Sequence, residues 1–228
     1  MKRTPLFFLF VLFFETTSVL SAHTRKERVA DLIKELSPVL GEEWVAEIFN
    51  HKDICSNVEV PQRRLATWGE LRNEVTSDVS LARGEMFFLA NGSLFTDASN
   101  MYTGGDLLPY VILAILRIES NLGENRAGTP FIATLFKKYE RVADGPSGNK
   151  RRQEIKEREI LPFLRMAKAN VWDTCLVLGT RAAAFGYPHF IPESLRLAVD
   201  GDGDGKIDLM WNLSDAVHSI ANYLDKTG

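Results

Sequence analysis

Apolar residues recur at helical spacing along most of the chain. Within residues 28–40 they follow one another three or four positions apart, and Gly41 ends the pattern. Ser214 is a suitable N-cap for a last helix near the C-terminus. Further segments with an apolar face lie at residues 42–49, 107–118, 131–139 and 160–167. The pattern therefore predicts a mainly α-helical protein.

Polar and glycine-rich stretches interrupt the helical pattern. We expect a connecting loop, with or without a strand, over residues 53–76, a turn at Asn91-Gly92, and a loop over residues 144–149. The charged stretch 150–159 that follows is either the solvated face of a helix or a binding patch. No internal repeat or low-complexity tract divides the chain.

The N-terminus has the pattern of an export signal. Lys2 and Arg3 precede an apolar run at residues 6–14, and small residues follow at 18–22. This order is typical of a secretory signal peptide, and the apolar run is too short to span a bilayer. We expect residues 1–22 to be removed and the mature chain to be periplasmic or secreted.

The remaining residues, 23–228, are enough for one domain with a sizeable core. We divide this domain into an N-terminal helical segment, residues 23–100, and a core, residues 101–228. Its sequence has no later stretch that is long and apolar enough to be a transmembrane helix. With a formal net charge of -3, the whole chain gives no electrostatic reason to expect a nucleic acid partner. We expect a monomer.

The chain has two cysteines, Cys55 and Cys175. In an exported protein they can form a disulfide, and two independent buried thiols are the alternative. Neither belongs to a CxxC pair, so we expect no thiolate metal site.

A single carboxylate ends the apolar segment at residues 107–118. Glu119 stands there, in a helix that Asp106 can cap and that tolerates Pro109 in its first turn. The apolar helix and the negative end of its dipole disfavour the ionised carboxylate. Such a group suits general acid catalysis near neutral pH. The alternative is a surface glutamate at a frayed helix end.

Residues 200–208 have the spacing of an EF-hand calcium loop. Acids alternate along the loop, a glycine permits its sharp turn, and a backbone carbonyl follows that glycine. Trp211 stands where such loops have a bidentate glutamate, so a nearby side chain, Asn212 or Asp215, is expected to complete the site. The alternative is a polar, glycine-rich surface turn. The predicted ligands are Asp200, Asp202, Asp204, Lys206 through its carbonyl, Asp208 and Asn212.

Three sequence blocks stand in a fixed order. The first is A-I-L-R-I-E-S-N-L-G around Glu119, and the second is G-T-R-A-A-A-F-G-Y-P-H-F-I-P-E-S from Gly179. The third is the Asp200 loop followed by W-N. Together they resemble the membrane-bound lytic transglycosylase B family. The resemblance implies a lysozyme-like catalytic domain with an EF-hand-like loop that holds a structural Ca²⁺, and peptidoglycan glycan strands as the partner.

The resemblance also implies a reaction: cleavage of the β-1,4 bond between N-acetylmuramic acid (MurNAc) and N-acetylglucosamine (GlcNAc), with formation of a 1,6-anhydroMurNAc end. Glu119 takes the position of the family's single acid/base. The sugar's own C6 hydroxyl attacks C1, so no second carboxylate is needed. The glycan contacts that the resemblance implies are Thr180, His189, Arg151 and Arg152.

The chain departs from the family pattern at several positions. Thr180 replaces a serine, and His189 replaces a glutamine thought to contact substrate. A histidine adds pH sensitivity, or it is a partly buried structural residue. The chain also ends at Gly228, before the family's Y-N-x-S motif. The sequence therefore leaves three functions open: a lytic transglycosylase, a catalytically impaired peptidoglycan-binding or scaffolding protein, and a calcium-stabilised structural protein.

Overall fold

The computed structural model describes residues 23–50, 54–55, 68–105, 109–125 and 128–227, and this part of the chain is mainly helical. Its α-helices are α1 (Arg25–Leu40), α2 (Glu42–Asn50), α3 (Trp68–Val75), α4 (Asp78–Thr103), α5 (Pro109–Ser120), α6 (Phe131–Glu140), α7 (Pro146–Ile155), α8 (Leu161–Ala169) and α9 (Leu213–Thr227). A π-helical turn, Lys156–Ile160, joins α7 to α8, and a 3₁₀ helix spans Pro192–Leu197. Two short strands, β1 (Thr129–Pro130) and β2 (Leu178–Gly179), pair antiparallel.

Two clusters of buried side chains hold these helices together. The first cluster draws mainly on α1, α2, α6 and α8 and on the segment before α9, and its centre is aromatic. There the ring of Phe131 lies 4.9 Å from that of Phe163 and 4.7 Å from that of Phe185. The second cluster joins α4, α5 and α9 through residues such as Phe95 and Leu116. Each such side chain contributes about 1.5–3 kcal/mol when buried, so each cluster can fix its own set of helices.

The two cysteines form a disulfide. The Cα atoms of Cys55 and Cys175 lie 5.3 Å apart, and the bond joins positions 120 residues apart in sequence. Of the two alternatives for the cysteines, the structure thus has the cross-link. A disulfide that closes a loop of this length stabilises a fold by about 2–4 kcal/mol, chiefly by restricting the unfolded chain.

The main helices predicted from periodicity are confirmed. The segments 28–40, 42–49, 107–118, 131–139 and 160–167 correspond to α1, α2, α5, α6 and α8. Pro109 is the first residue of α5, as expected, whereas Asp106 lies outside the described residues, as does the predicted signal peptide. None of the helices in the described ranges combines the length and the apolar character needed to cross a membrane.

Two predicted interruptions were wrong. Asn91 and Gly92 lie inside α4, where the Asn91 side chain donates a hydrogen bond to the Phe87 carbonyl (2.9 Å) and so supports the helix. The packing of α4 against α5 and α9 overrides the local turn preference. The loop over residues 144–149 ends early, because Pro146 starts α7, a position that proline favours.

Two further local predictions need correction. Part of the expected loop over residues 53–76 is α3, whereas residues 56–67 of it lie outside the described residues. Ser214 does not cap α9. Instead, the Asn212 side-chain oxygen accepts the N–H groups of Ser214 (2.9 Å) and Asp215 (3.3 Å), which places the cap two residues earlier.

Candidate active site

Glu119 lies in the last turn of α5, beside an open surface. Ile112 and Leu116 of the same helix are fully buried in the second cluster, but the Glu119 side chain is 47% exposed. The carboxylate is therefore not desolvated by its own helix in the way expected from sequence, because the apolar face of α5 is turned into the core. Its exposure leaves the group accessible to a ligand.

The turn after Glu119 is held by hydrogen bonds from its neighbour. The buried Ser120 hydroxyl donates to the Leu116 carbonyl (3.2 Å) and accepts the Gly123 N–H (3.0 Å). Its backbone carbonyl accepts the N–H of Asn125 at 2.7 Å. Since one buried residue ties both ends of the turn, the chain leaves α5 in a fixed direction.

Three consecutive residues of this turn have a left-handed backbone: Asn121 (φ 55°), Leu122 (φ 59°) and Gly123 (φ 88°). This conformation costs about 1–2 kcal/mol for each L-residue, and burial of Leu122 in the second cluster offsets part of that cost. At Gly123 a Cβ atom would lie 1.8 Å from Cε1 of Tyr187. The Tyr187 ring therefore packs directly on the backbone of the turn, and glycine is required there.

A second tight turn faces the first. Phe185 and Phe190 pair through two backbone hydrogen bonds of 3.0 and 3.1 Å, and both rings belong to the first cluster. The Tyr187 N–H donates to the Leu209 carbonyl (2.8 Å), which ties the same turn to the segment before α9. This turn presents His189, itself left-handed with φ 46°.

The two turns bring Glu119 and His189 together. Nδ1 of His189 lies 3.6 Å from Oε2 of Glu119, and Nε2 lies 3.0 Å from the Asn125 carbonyl oxygen. The His189 side chain is 11% exposed. Two residues predicted for the same site therefore meet, although they lie 70 positions apart and on turns anchored in different clusters.

Helix α4 also contributes to this region, which sequence reasoning missed. Arg83 of α4 forms an ion pair with Glu124, and the other Glu124 oxygen accepts the Asn121 amide (2.9 Å). Arg117 of α5 bonds to Asn121 and to Ser80 of α4. Nothing in the spacing of these residues indicated that they would meet. The second carboxylate of the turn is thus held by a cation.

The acidic loop forms a compact cluster of carboxylates. Oxygens of Asp200, Asp202 and Asp204 lie within 4.8 Å of one another. Asp200 also accepts the backbone N–H groups of Gly203 (2.7 Å), Asp204 (3.2 Å) and Gly205 (2.7 Å). Chiefly through the Gly205 N–H, these bonds hold the pKa of Asp200 below its ordinary value. The cluster offers the hard oxygen donors that calcium prefers.

Asp215 anchors this loop from α9. It is fully buried and accepts the N–H groups of Gly201 (2.8 Å) and Asp208 (2.6 Å). Burial raises its pKa above the ordinary value. One Asp208 oxygen accepts the N–H groups of Met210 and Trp211. Asp208 does not belong to the three-carboxylate cluster found among the described residues.

The remaining predicted ligands adjoin the cluster. The Asn212 amide donates to Asp202 (2.8 Å), whereas its oxygen caps α9. The Lys206 N–H donates to Asp204 (2.8 Å). That Asn212 and Lys206 bind a metal ion stays a prediction.

Similarity to known proteins extends over most of the chain. The family described as a transglycosylase SLT domain matches residues 15–228. The chain belongs to this family. Membrane-bound lytic murein transglycosylase B of Escherichia coli (strain K12) is 28% identical over 188 residues, which are 81% of this chain and 48% of that protein. The chain thus spans about half the length of the curated relative that it matches.

Solved structures of lytic transglycosylases have the same fold. Soluble lytic transglycosylase SltB1 from Pseudomonas aeruginosa superposes with a TM-score of 0.69 at 26% identity, over 88% of this chain and 67% of that one. Escherichia coli lytic transglycosylase Slt35 in complex with calcium gives 0.70 at 23% identity, over 88% and 63%. The predicted resemblance and the mainly α, lysozyme-like fold are confirmed.

In this SLT-domain chain, Thr180 is hydrogen-bonded to the protein's own backbone. The Thr180 N–H donates to the Ala184 carbonyl (2.7 Å), and its hydroxyl accepts the Ala184 N–H (3.2 Å). The side chain therefore stabilises the turn that leads into the Phe185–Phe190 pair. Its contact with a glycan stays a prediction.

The two predicted arginines differ in their surroundings. Arg151 is exposed and pairs with Glu154 (3.0 Å). Arg152 is buried, pairs with Asp144 (2.9 Å) and donates to the Val142 carbonyl (2.8 Å). It lines a polar cavity of about 250 Å³ between α1 and α7, together with Lys156. The charged stretch 150–159 is thus not simply a solvated helix face.

Proposed function

We propose that this chain is a peptidoglycan lytic transglycosylase that cleaves the MurNAc–GlcNAc β-1,4 bond and leaves a 1,6-anhydroMurNAc end. The observation that carries the proposal is the position of Glu119, an accessible carboxylate at the end of a helix whose apolar face is buried, on a backbone held by the hydrogen bonds of Ser120. Membership of the SLT-domain family supports it.

In the proposed reaction one carboxyl group acts twice. Protonated Glu119 donates to the glycosidic oxygen while the bond from that oxygen to C1 of MurNAc breaks. The resulting carboxylate then takes the proton of the C6 hydroxyl as its oxygen attacks C1, which restores the acid. Because the nucleophile belongs to the substrate, its effective concentration at C1 is high and no enzyme nucleophile is required.

The surroundings of Glu119 agree with a single acid. Glu124 is the other carboxylate of the turn, and Arg83 and Asn121 occupy its two oxygens. A carboxylate engaged at both oxygens is less free to take a proton from a substrate. The two-carboxylate arrangement of ordinary glycosidases is therefore not favoured by this pair.

Calcium has a structural part in this proposal. Asp200, Asp202 and Asp204 supply converging carboxylates, and the Lys206 carbonyl, Asp208 and Asn212 are the further predicted ligands. A bound calcium ion would neutralise the repulsion among the acids and join the loop to α9. Slt35, whose fold this chain shares, has been solved in complex with calcium.

Glycan contacts and location complete the proposal. Of the predicted glycan contacts, Thr180, Arg151 and Arg152 are kept as contacts along the glycan strand, whereas His189 lies beside Glu119. Export through cleavage of residues 1–22 would bring the mature chain, as a monomer, to the periplasm or the exterior, where peptidoglycan lies.

A peptidoglycan-binding or scaffolding protein without cleavage is the second candidate. The observation that favours it is the exposure of Glu119, whose side chain is 47% exposed and lacks the apolar surroundings expected around a general acid. Such a protein would bind peptidoglycan sacculi and release nothing from them.

Digestion of purified peptidoglycan separates these candidates. We expect anhydromuropeptides from the mature wild-type chain by mass spectrometry, and a rate at least about 10²-fold lower from Glu119→Gln, because loss of a general acid typically costs 10²–10⁴-fold. Glu124→Gln is the matched variant and should retain most of the activity. Binding without products from the wild type would favour the scaffolding role. Loss of activity in Glu124→Gln but not in Glu119→Gln would make the assignment of the acid wrong.

A further inference from the structure

The imidazole of His189 occupies a place between Glu119 and a backbone carbonyl. One ring nitrogen lies 3.0 Å from the Asn125 oxygen and the other lies 3.6 Å from the carboxylate. We propose that His189 is a positioning residue that shares a proton with Glu119 and orients its carboxyl group. This inference rests on the proposed function, and it gives His189 a different role from that of a glycan contact.

The carbonyl decides which nitrogen of the ring carries hydrogen. A backbone carbonyl only accepts hydrogen bonds, so Nε2 of His189 must be the N–H that faces Asn125. In the neutral ring, Nδ1 then carries a lone pair, and this lone pair lies on the side of Glu119. A neutral carboxylic acid can donate its O–H to that nitrogen. If the ring is charged instead, Nδ1–H donates to the carboxylate. In these two states, in which the pair holds one proton, that proton lies between the two groups.

The ring and the carbonyl are both fixed. His189 is nearly buried, its N–H donates to the Gly186 carbonyl (3.3 Å), and the Phe185–Phe190 pair closes its turn. The N–H of Asn125 is bonded to Ser120 at 2.7 Å. Glu119 is the exposed member, so a small rotation of its side chain changes 3.6 Å into a hydrogen bond. Catalytic hydrogen bonds are often long before substrate binds and shorten afterwards.

Other charged groups lie near the pair. Arg117 is hydrogen-bonded to Asn121 on the turn and to Ser80, which are both neutral, and Glu124 is paired with Arg83 from α4. On the turn of His189 itself, the phenol of Tyr187 is a further titratable group, and its ring lies on Gly123. Substitution of His189 leaves all of these groups in place, so a changed pH profile in such a variant reports on the pair itself.

The kinetic test compares three variants with the wild type. His189→Gln can still donate to the Asn125 carbonyl but takes no proton, whereas His189→Ala loses both functions. We expect kcat to fall about 10-fold in His189→Gln and about 10²-fold in His189→Ala, the size of effect that misplacement of a catalytic group causes, with KM changed less than about twofold. The pH profile of kcat should lose one ionisation in His189→Gln. His23→Gln, on a histidine that contacts Asp144, should match the wild type.

Nitrogen NMR of the histidine rings tests the same pairing without any activity. We expect His189 to show the Nε2–H tautomer and its titration midpoint to change in Glu119→Gln. An unchanged midpoint in that variant, or identical kcat pH profiles for wild type and His189→Gln, would overturn the inference. If the wild type releases no anhydromuropeptides, the proposed function fails, and the NMR titration alone still decides whether His189 and Glu119 share a proton.

Discussion

The turn after Glu119 and the loop around Asp200 are both polar segments at the end of a helix, yet they use their carboxylates in opposite ways. Asp200 accepts three backbone N–H groups and Asp215 accepts two. Glu119 accepts no hydrogen bond from the described part of the chain and has the His189 ring at 3.6 Å. The acidic loop thus satisfies its acids internally, whereas the proposed catalytic acid is left accessible.

The two segments also reach left-handed backbone conformations differently. Gly203 (φ 77°) and Gly205 (φ 84°) face open space, since nothing lies within 4 Å of a Cβ placed on either. Gly123 is packed against the Tyr187 ring. The conformation alone requires glycine in the acidic loop, whereas both conformation and packing require it beside Glu119.

Among the predictions, alanine substitutions at Gly123 and Gly203 should differ most in their effect on the free energy of unfolding. We expect Gly123→Ala to lower the free energy of unfolding by about 2–5 kcal/mol, because a left-handed alanine costs about 1–2 kcal/mol and overpacking against Tyr187 about 1–3 kcal/mol. Gly203→Ala, the matched control, should lose only the conformational part. Urea denaturation of both variants measures this difference. Equal losses would mean that the Tyr187 contact has no energetic weight.

Calcium should act on the acidic loop and not on the Glu119 turn. At about 100 times its Kd, a ligand that binds only the folded state contributes about 2.7 kcal/mol, which in a domain of this size raises Tm by about 5–10 °C. We expect this rise for the wild type and Glu119→Gln, its loss in Asp202→Asn, and its retention in Asp225→Asn, an acid at the end of α9. Differential scanning calorimetry with calcium and with chelator is the measurement. The same Tm in both conditions would contradict calcium binding by the wild type.

Substitution of Asp144 should change the free energy of unfolding least, and it extends the comparison to a third region of the chain. The His23 N–H (2.8 Å), with Arg28 and Arg152, holds the pKa of Asp144 below its ordinary value. The folded state thus favours the ionised form, so this contribution to stability is present above about pH 4 and is lost as pH falls further. We expect Asp144→Asn to be less stable than wild type at pH 7, with the two converging below pH 4 in thermal melts. A constant difference across that range would contradict the assignment.

Sequence periodicity and spacing predicted the elements that depend on local pattern. Helix α5, which carries Glu119, and the acids of the Asp200 loop are of this kind, because their positions follow from neighbours within a few residues. The turn predicted at Asn91-Gly92 was wrong because packing against α5 and α9 outweighs a two-residue preference. Local signals are thus reliable only where tertiary contacts do not oppose them.

The arrangement of the candidate site depends on long-range packing and could not be predicted from the sequence. His189 was singled out from the resemblance, but its contact with Glu119 requires that a turn anchored in the first cluster meet a turn anchored in the second. The burial of Arg152 and the ion pair of Arg83 with Glu124 likewise join distant segments. The spacing of residues along the chain does not predict such long-range contacts.

The most direct test of the division between a reacting acid and structural acids is the rate of anhydromuropeptide release by Glu119→Gln and Asp202→Asn, measured at a temperature where both are folded. We predict that Glu119→Gln releases at least about 10²-fold less product than the wild type, at unchanged Tm, whereas Asp202→Asn retains release and loses only its calcium-dependent stability. Release by Glu119→Gln at the wild-type rate, or its abolition in folded Asp202→Asn, would contradict this account.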